Sequence, residues 1–126
     1  MALLEIKGLT KNFGGLAAVA GLDMEVEEGE ICGLIGPNGA GKSTALNMIG
    51  GTLMPTRGTI VFGGRNITRY PAFKRAGLGI ARVFQRNALF FSMTVMENVL
   101  AGSYLHDEHG FGELFYRGRK AREVER

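Results

Sequence analysis

The sequence predicts an α/β fold, and three observations carry that expectation. An apolar run, Ile31-Cys32-Gly33-Leu34-Ile35, leads into a glycine-rich loop, and a helical pattern leaves it. The loop, Gly36-Pro37-Asn38-Gly39-Ala40-Gly41-Lys42-Ser43, fits the spacing G-x-x-x-x-G-K-[ST] of a phosphate-wrapping loop. Upstream, Leu22-Asp23-Met24-Glu25-Val26 alternates apolar and charged residues, as a half-buried antiparallel strand does.

The elements follow in order. Leu3-Leu4-Glu5-Ile6-Lys7-Gly8-Leu9 reads as a first strand, and residues 10–15 as a loop or turn. After the strand at 22–26, Glu27-Glu28-Gly29-Glu30 turns into the run at 31–35. That run is apolar throughout, which predicts a central strand covered on both faces. From Lys42 onward Leu46, Ile49, Gly50 and Leu53 fall at helical spacing; Gly50 and Gly51 weaken the end and Pro55 stops it. Gly58-Thr59-Ile60-Val61-Phe62 is a further strand, with Gly63-Gly64 as its turn. Residues 71–76 suit a short helix, and Gly79-Ile80-Ala81-Arg82-Val83-Phe84 a last strand ending at Gln85. Thr94-Val95-Met96-Glu97 has the form of a capping box opening a helix through Leu100. Residues 103–126 lose hydrophobic order, and their charges read as a solvated face.

Composition narrows the functional classes. The 126 residues suit one domain or a piece of one, and the hydrophobic share of 45% is that of an ordinary globular core. A net charge of +3 does not point to nucleic acid or to an anionic membrane surface. The single cysteine, Cys32, excludes an intrachain disulfide and is expected to be a small buried apolar residue of the strand. The first residues lack the basic and apolar regions of a signal peptide, and no apolar run reaches the roughly 18–20 residues of a bilayer span. His106 and His109 lie in a polar segment and read as surface histidines.

The loop's residue types explain its chemistry. A backbone that curls its N–H groups toward one point makes an anion-binding nest, and Gly36, Gly39 and Gly41 supply the freedom such curling needs. A helix starting at Lys42 would aim its unpaired amides and positive dipole end at the same anion. Lys42 is placed to bridge the β- and γ-phosphates of a nucleotide, Ser43 to ligate Mg²⁺ and Thr44 to reach the α-phosphate. Pro37, Asn38 and Ala40 complete the loop as candidate nucleotide contacts through their backbone.

Several segments together resemble a known family. The loop continues as Gly-Ala-Gly-Lys-Ser-Thr, with Gly58-Thr59-Ile60, Val83-Phe84-Gln85 and Met93-Thr94-Val95-Met96-Glu97-Asn98-Val99-Leu100 downstream. This layout resembles the ATP-binding subunit of ABC transporters over nearly all of residues 3–102, and within them it looks like the branched-chain amino acid importer group. The resemblance implies a P-loop NTPase-like core with an N-terminal antiparallel β subdomain, here a partial ABC ATPase domain. Residues 1–93 would form the N-terminal part of the catalytic core and 94–126 the start of a helical subdomain. Phe13 matches the aromatic that stacks on adenine, and Val19 is expected to pack against the same base. Gln85 matches the glutamine that reaches Mg²⁺ or the attacking water, in the loop that couples the nucleotide site to the membrane-spanning subunits. The implied ligands are ATP and Mg²⁺, with Lys42 and Gln85 in catalysis and Ser43 and Gln85 at the metal. The implied partners are the permease subunits, a second ATP-binding subunit and, indirectly, a solute-binding protein, with no nucleic acid. The implied place is the cytoplasmic face of the inner membrane.

Two family motifs are missing from these 126 residues: the Leu-Ser-Gly-Gly-Gln signature, and the apolar strand ending in Asp-Glu whose carboxylates hold magnesium and position water. A first half of a longer subunit, weak in nucleotide binding and poor in turnover, is the expected reading. A non-catalytic regulatory module is the alternative. A DNA-repair-type ATPase head would continue into heptads, which residues 94–126 lack, and a GTPase would carry Asn-Lys-x-Asp, which is absent.

Overall fold

The structure is a computed structural model that describes residues 1–83 and 89–102. It divides into two compact units, Met1–Arg82 and a second beginning at Val83.

The first unit is built on a hairpin of β1 (Leu4–Phe13) and β2 (Leu16–Val26), joined by Gly14-Gly15. Both strands are longer than the sequence suggested. Residues 10–13, expected in a loop, complete β1, and Leu16 to Gly21 open β2. The pairing register shifts between Ile6 and Leu9, between Leu9 and Lys11 and between Lys11 and Asn12. Each such irregularity offsets the alternation by a residue, so a strictly two-residue period recognises only the undisturbed ends of the strands. On the other side of β1 runs β3 (Arg57–Phe62), which turns back through Gly63-Gly64 into β4 (Arg65–Asn66). The sheet is antiparallel throughout, with order β2-β1-β3-β4.

The core gathers Ile6, Leu9, Val19 and Ile60 of the sheet with Ile67 and with Ala45 and Met48 of helix α1 (Lys42–Gly50). A fully buried aliphatic side chain contributes about 1.5–3 kcal/mol, so this cluster seats the helix on the sheet. The inward face of α1 matches the expected one in part: Ile49 and, just past the helix end, Leu53 pack against the core, and Leu46 does not. Ala45 and Met48 face the core while Leu46 is exposed, because one step along a helix turns a side chain by about 100° and the sheet meets the helix on the Ala45 side. The helix stops at Gly51 rather than at Pro55. Gly51 is left-handed, its N–H donates to Met48 O (3.3 Å), and Thr52 N–H donates to Asn47 O (3.0 Å), a Schellman closure.

The run at 31–35 is not a strand, and Ile31 and Ile35 are 99% and 93% exposed. Cys32, expected to be buried, is exposed with them. A strand exists only by hydrogen bonding to a neighbour. Among the described residues none pairs with 31–35, so its apolar character has no ladder to act through. The same reason applies to residues 79–83, expected in a last strand and found in irregular backbone; Phe84 lies outside the described residues.

Helix α2 (Ala72–Gly77) follows Pro71, one residue later than expected at its start and end. In the second unit, α3 (Val95–Gly102) opens on the anticipated capping box. Thr94 N–H donates to Glu97 Oε2 (2.7 Å), and Glu97 N–H donates to Thr94 Oγ1 (3.2 Å). Asn98 clasps the preceding turn, accepting from Phe90 N–H (3.0 Å) and donating to Thr94 O (2.9 Å). Among the described residues no helix is long and apolar enough to cross a membrane.

Candidate functional site

The glycine-rich loop and the start of β2 enclose a cavity of about 300 Å³. Leu16, Ala17 and Ala18 form one wall; Asn38, Gly39, Gly41, Lys42, Ser43 and Thr44 form the other. That volume is at the lower end for ligand pockets. The lining carries one cation, two hydroxyls and no carboxylate, which suits an anion.

Backbone geometry makes the same case. Gly39 and Gly41 take φ of 85° and 90°. A Cβ on Gly41 would run into the carbonyl oxygen of Ala18 and lie 3.0 Å from Val19 Cγ2. The loop therefore passes so close to β2 that position 41 has no room for a side chain. Immediately after it α1 begins with no side-chain cap and no acidic residue in its first turn. Ala45 N–H closes onto Gly41 O at 2.8 Å, whereas the amides of Gly41, Lys42, Ser43 and Thr44 have no hydrogen-bond acceptor among the described residues. Four unpaired donors at a helix start make an anion-binding arrangement. The Lys42 ammonium donates across the loop to the Gly36 carbonyl, which holds it at the loop's mouth.

The other expected site residues are placed as follows. Phe13 ends β1 and is 50% exposed. It pairs with Leu16 across the hairpin, and so shares a sheet face with a residue of the cavity wall. Lys11 Nζ stands 5.3 Å from the Phe13 ring centroid and donates to Met54 O (2.9 Å). Val19 is buried in the core beneath Gly41 and is not part of the cavity lining, nor are Gly36, Pro37 and Ala40. Gln85, His106 and His109 lie outside the described residues. Sequence reasoning missed the wall formed by Leu16, Ala17 and Ala18. The signal available was Gly14-Gly15, whose two-residue turn returns the chain directly beside Phe13.

It also missed Arg75. This side chain is fully buried, and burial lowers its pKa from the usual arginine value. Its guanidinium donates to Met48 O (2.6 Å), Ile49 O (2.9 Å), Thr68 O (3.0 Å) and Tyr70 O (2.9 Å).

Residues 19–126 match the ABC transporter family. The chain belongs to that family. Among its relatives, this ABC transporter chain is 45% identical over 104 residues to BraF of Pseudomonas aeruginosa strain PAO1, a high-affinity branched-chain amino acid transport ATP-binding protein, covering 82% of this chain and 41% of BraF. It is 43% identical over 102 residues to LivG of Escherichia coli K12, a protein of the same description, covering 81% of this chain and 40% of LivG. The chain thus spans about two fifths of the length of these curated relatives. Among solved structures, it is similar to MJ1267, an ATP-binding cassette of an ABC transporter, with a TM-score of 0.75 at 36% identity over 92% of this chain and 46% of that one. The ADP conformation of MJ1267 gives the same TM-score at 32% identity, over 93% of this chain and 46% of that one. The fold is accordingly that of the P-loop NTPase-like ABC ATPase, with its N-terminal antiparallel sheet packed against helices.

Proposed function

We propose that this chain supplies the phosphate loop, base platform and coupling glutamine of an ABC transporter ATPase subunit. In that subunit, Mg·ATP binding and hydrolysis drive import of a solute, with branched-chain amino acids as the solute class. The observation that carries the reading is the cavity of Gly39, Gly41, Lys42, Ser43 and Thr44 against β2, acid-free and lined by unpaired amides. The likeness to BraF, LivG and the ADP conformation of MJ1267 supports the ligand and the solute class.

Each residue has a physical task. The amides of α1's first turn orient the phosphates. The Lys42 ammonium, held in advance by the Gly36 carbonyl, exchanges that acceptor for the β- and γ-phosphate oxygens, a charge-assisted bond of about 1.5–3 kcal/mol. The Ser43 hydroxyl, exposed in the cavity wall, would serve as a magnesium ligand together with Gln85. Mg²⁺, when bound with the nucleotide, neutralises phosphate charge. Phe13 offers the adenine an aromatic face, and Val19, buried beneath Gly41, supports the phosphate loop from the core. Residues 1–93 act as the nucleotide-binding core and 94–126 as the beginning of a helical subdomain. The permease subunits, met through the Gln85 loop at the cytoplasmic face of the membrane, and a second ATP-binding subunit complete the working assembly.

The sequence contains neither the signature motif nor a magnesium-binding Asp-Glu strand, so the 126-residue chain binds nucleotide with little or no turnover. Calorimetry with Mg·ATP on the chain and on Lys42→Ala is the test. The variant should lose at least about tenfold in affinity, since one charge-assisted bond is worth that much. Its thermal unfolding should stay close to that of the parent. Equal affinity in the two proteins, or brisk ATP hydrolysis by the 126-residue chain, would overturn the reading.

A further inference from the structure

Helix α1 carries one stabilising device in its own sequence, the closure at Gly51, and none at its start. It has nine residues, no side-chain N-cap, no acidic residue in its first turn and no basic residue in its last. A helix this short is marginal by itself. Only Ala45 and Met48 are fully inserted in the core. Its C-terminal end is nevertheless held firmly, by a residue from elsewhere in the chain. Arg75 of α2 places its guanidinium on the carbonyls of Met48, which also accepts from Gly51 N–H, and of Ile49, at 2.6 and 2.9 Å. The remaining donors reach Thr68 and Tyr70. Among the described residues no carboxylate pairs with Arg75, so its charge faces main-chain carbonyls alone. Gly51 makes this approach possible: a Cβ there would sit 2.9 Å from both Cδ and Nε of Arg75.

We infer that Arg75 is a positioning residue for the phosphate loop, acting through α1. The inference rests on the reading of that loop as a phosphate site. A cation at the C-terminal carbonyls and an anion at the N-terminal amides complement opposite ends of one helix dipole. The nine-residue helix is only about 13 Å long and moves as one piece. Its start is set against Ala18 and Val19 and its end against Arg75. Loosening the end therefore lets the first turn, closed by Ala45 N–H on Gly41 O, fray, and anion binding must then reorder it. Lysine cannot replace the arginine here, because a single ammonium lacks the planar fork that reaches four carbonyls at once.

The experiment compares the chain with Arg75→Lys and with Ile67→Val, a change in the same core that lowers stability but leaves the hydrogen bonds at the end of α1 in place. The probes are inorganic tripolyphosphate, which has no base, and amide hydrogen exchange. Arg75→Lys should bind tripolyphosphate about three- to tenfold more weakly and exchange the Ala45 amide, which closes the first turn onto Gly41 O, faster by a similar factor. Ile67→Val should lower the unfolding temperature and leave both readings within twofold. If Arg75→Lys does not fold, Arg75→Gln, which keeps an amide donor without the guanidinium fork, takes the same criteria. Unchanged affinity and exchange in a folded Arg75 variant defeats the inference, as does an equal loss in Ile67→Val. A wild-type chain that binds no tripolyphosphate instead defeats the phosphate-site reading, and the exchange comparison still decides whether Arg75 orders the start of α1.

Discussion

The carbonyl oxygen of Ala18 occupies the space that a side chain at Gly41 would need. This contact joins the second strand to the phosphate loop and sets the distance between the two walls of the cavity. It predicts that Gly41→Ala is costly twice over. The new methyl meets backbone rather than a yielding side chain, and φ of 90° is strained for any residue with a Cβ. Destabilisation of about 1–3 kcal/mol is expected, together with loss of nucleotide binding. Thermal unfolding and calorimetry on the variant check both. Gly39→Ala is the comparison: its φ is 85°, but a Cβ there meets nothing within 4 Å, so the structural cost should be smaller.

Phe13 and Lys11 define a second prediction. The lysine lies near the ring and is anchored on Met54 O, which restrains the aromatic at the end of β1. If Phe13 carries the base, Phe13→Ala weakens ATP binding by roughly tenfold, the scale of one base–aromatic stack, and leaves tripolyphosphate binding unchanged. Phe13→Tyr should retain ATP affinity. Parallel titrations with the two ligands separate the base from the phosphates, and equal losses for both would show the ring to be structural.

The second unit offers a test of local stability. Thr94 and Glu97 satisfy each other's backbone amides at the start of α3. Thr94→Ala removes the cap and should cost about 1 kcal/mol, read as faster amide exchange within Val95–Gly102. Thr94→Ser keeps the hydroxyl and should behave like the parent.

Cys32 reports on the run at 31–35. Because it is exposed, a thiol reagent should modify it in the native chain at nearly the rate seen in denaturant. Protection of a hundredfold or more would mean that the run is covered in solution, as its apolar sequence alone suggested.

Much of the site was legible before any coordinates. Spacing singled out Lys42, Ser43, Gly39 and Gly41, which line the candidate cavity, because a phosphate nest demands particular residue types at fixed separations. The capping box was equally readable, since its two partners lie three residues apart. What failed were inferences that depend on a distant partner. The apolar residues 31–35 and 79–83 looked like strands, yet strand formation needs a neighbour, and among the described residues no other segment pairs with them. Leu46 alone of the expected inward apolar residues of this segment was misjudged, because it is more apolar than Ala45, whereas the sheet lies on the Ala45 side.

The sequence by itself determined the chemistry of the loop, the antiparallel character of the first subdomain and the family, since all three are written in short-range pattern. Only the tertiary structure decided that Ala18 forbids a side chain at position 41, that Leu16 to Ala18 wall the cavity, and that Arg75 binds the carbonyls at the end of α1. These contacts join residues 23 to 27 positions apart, where local periodicity carries no information and the packing of helix on sheet sets every distance.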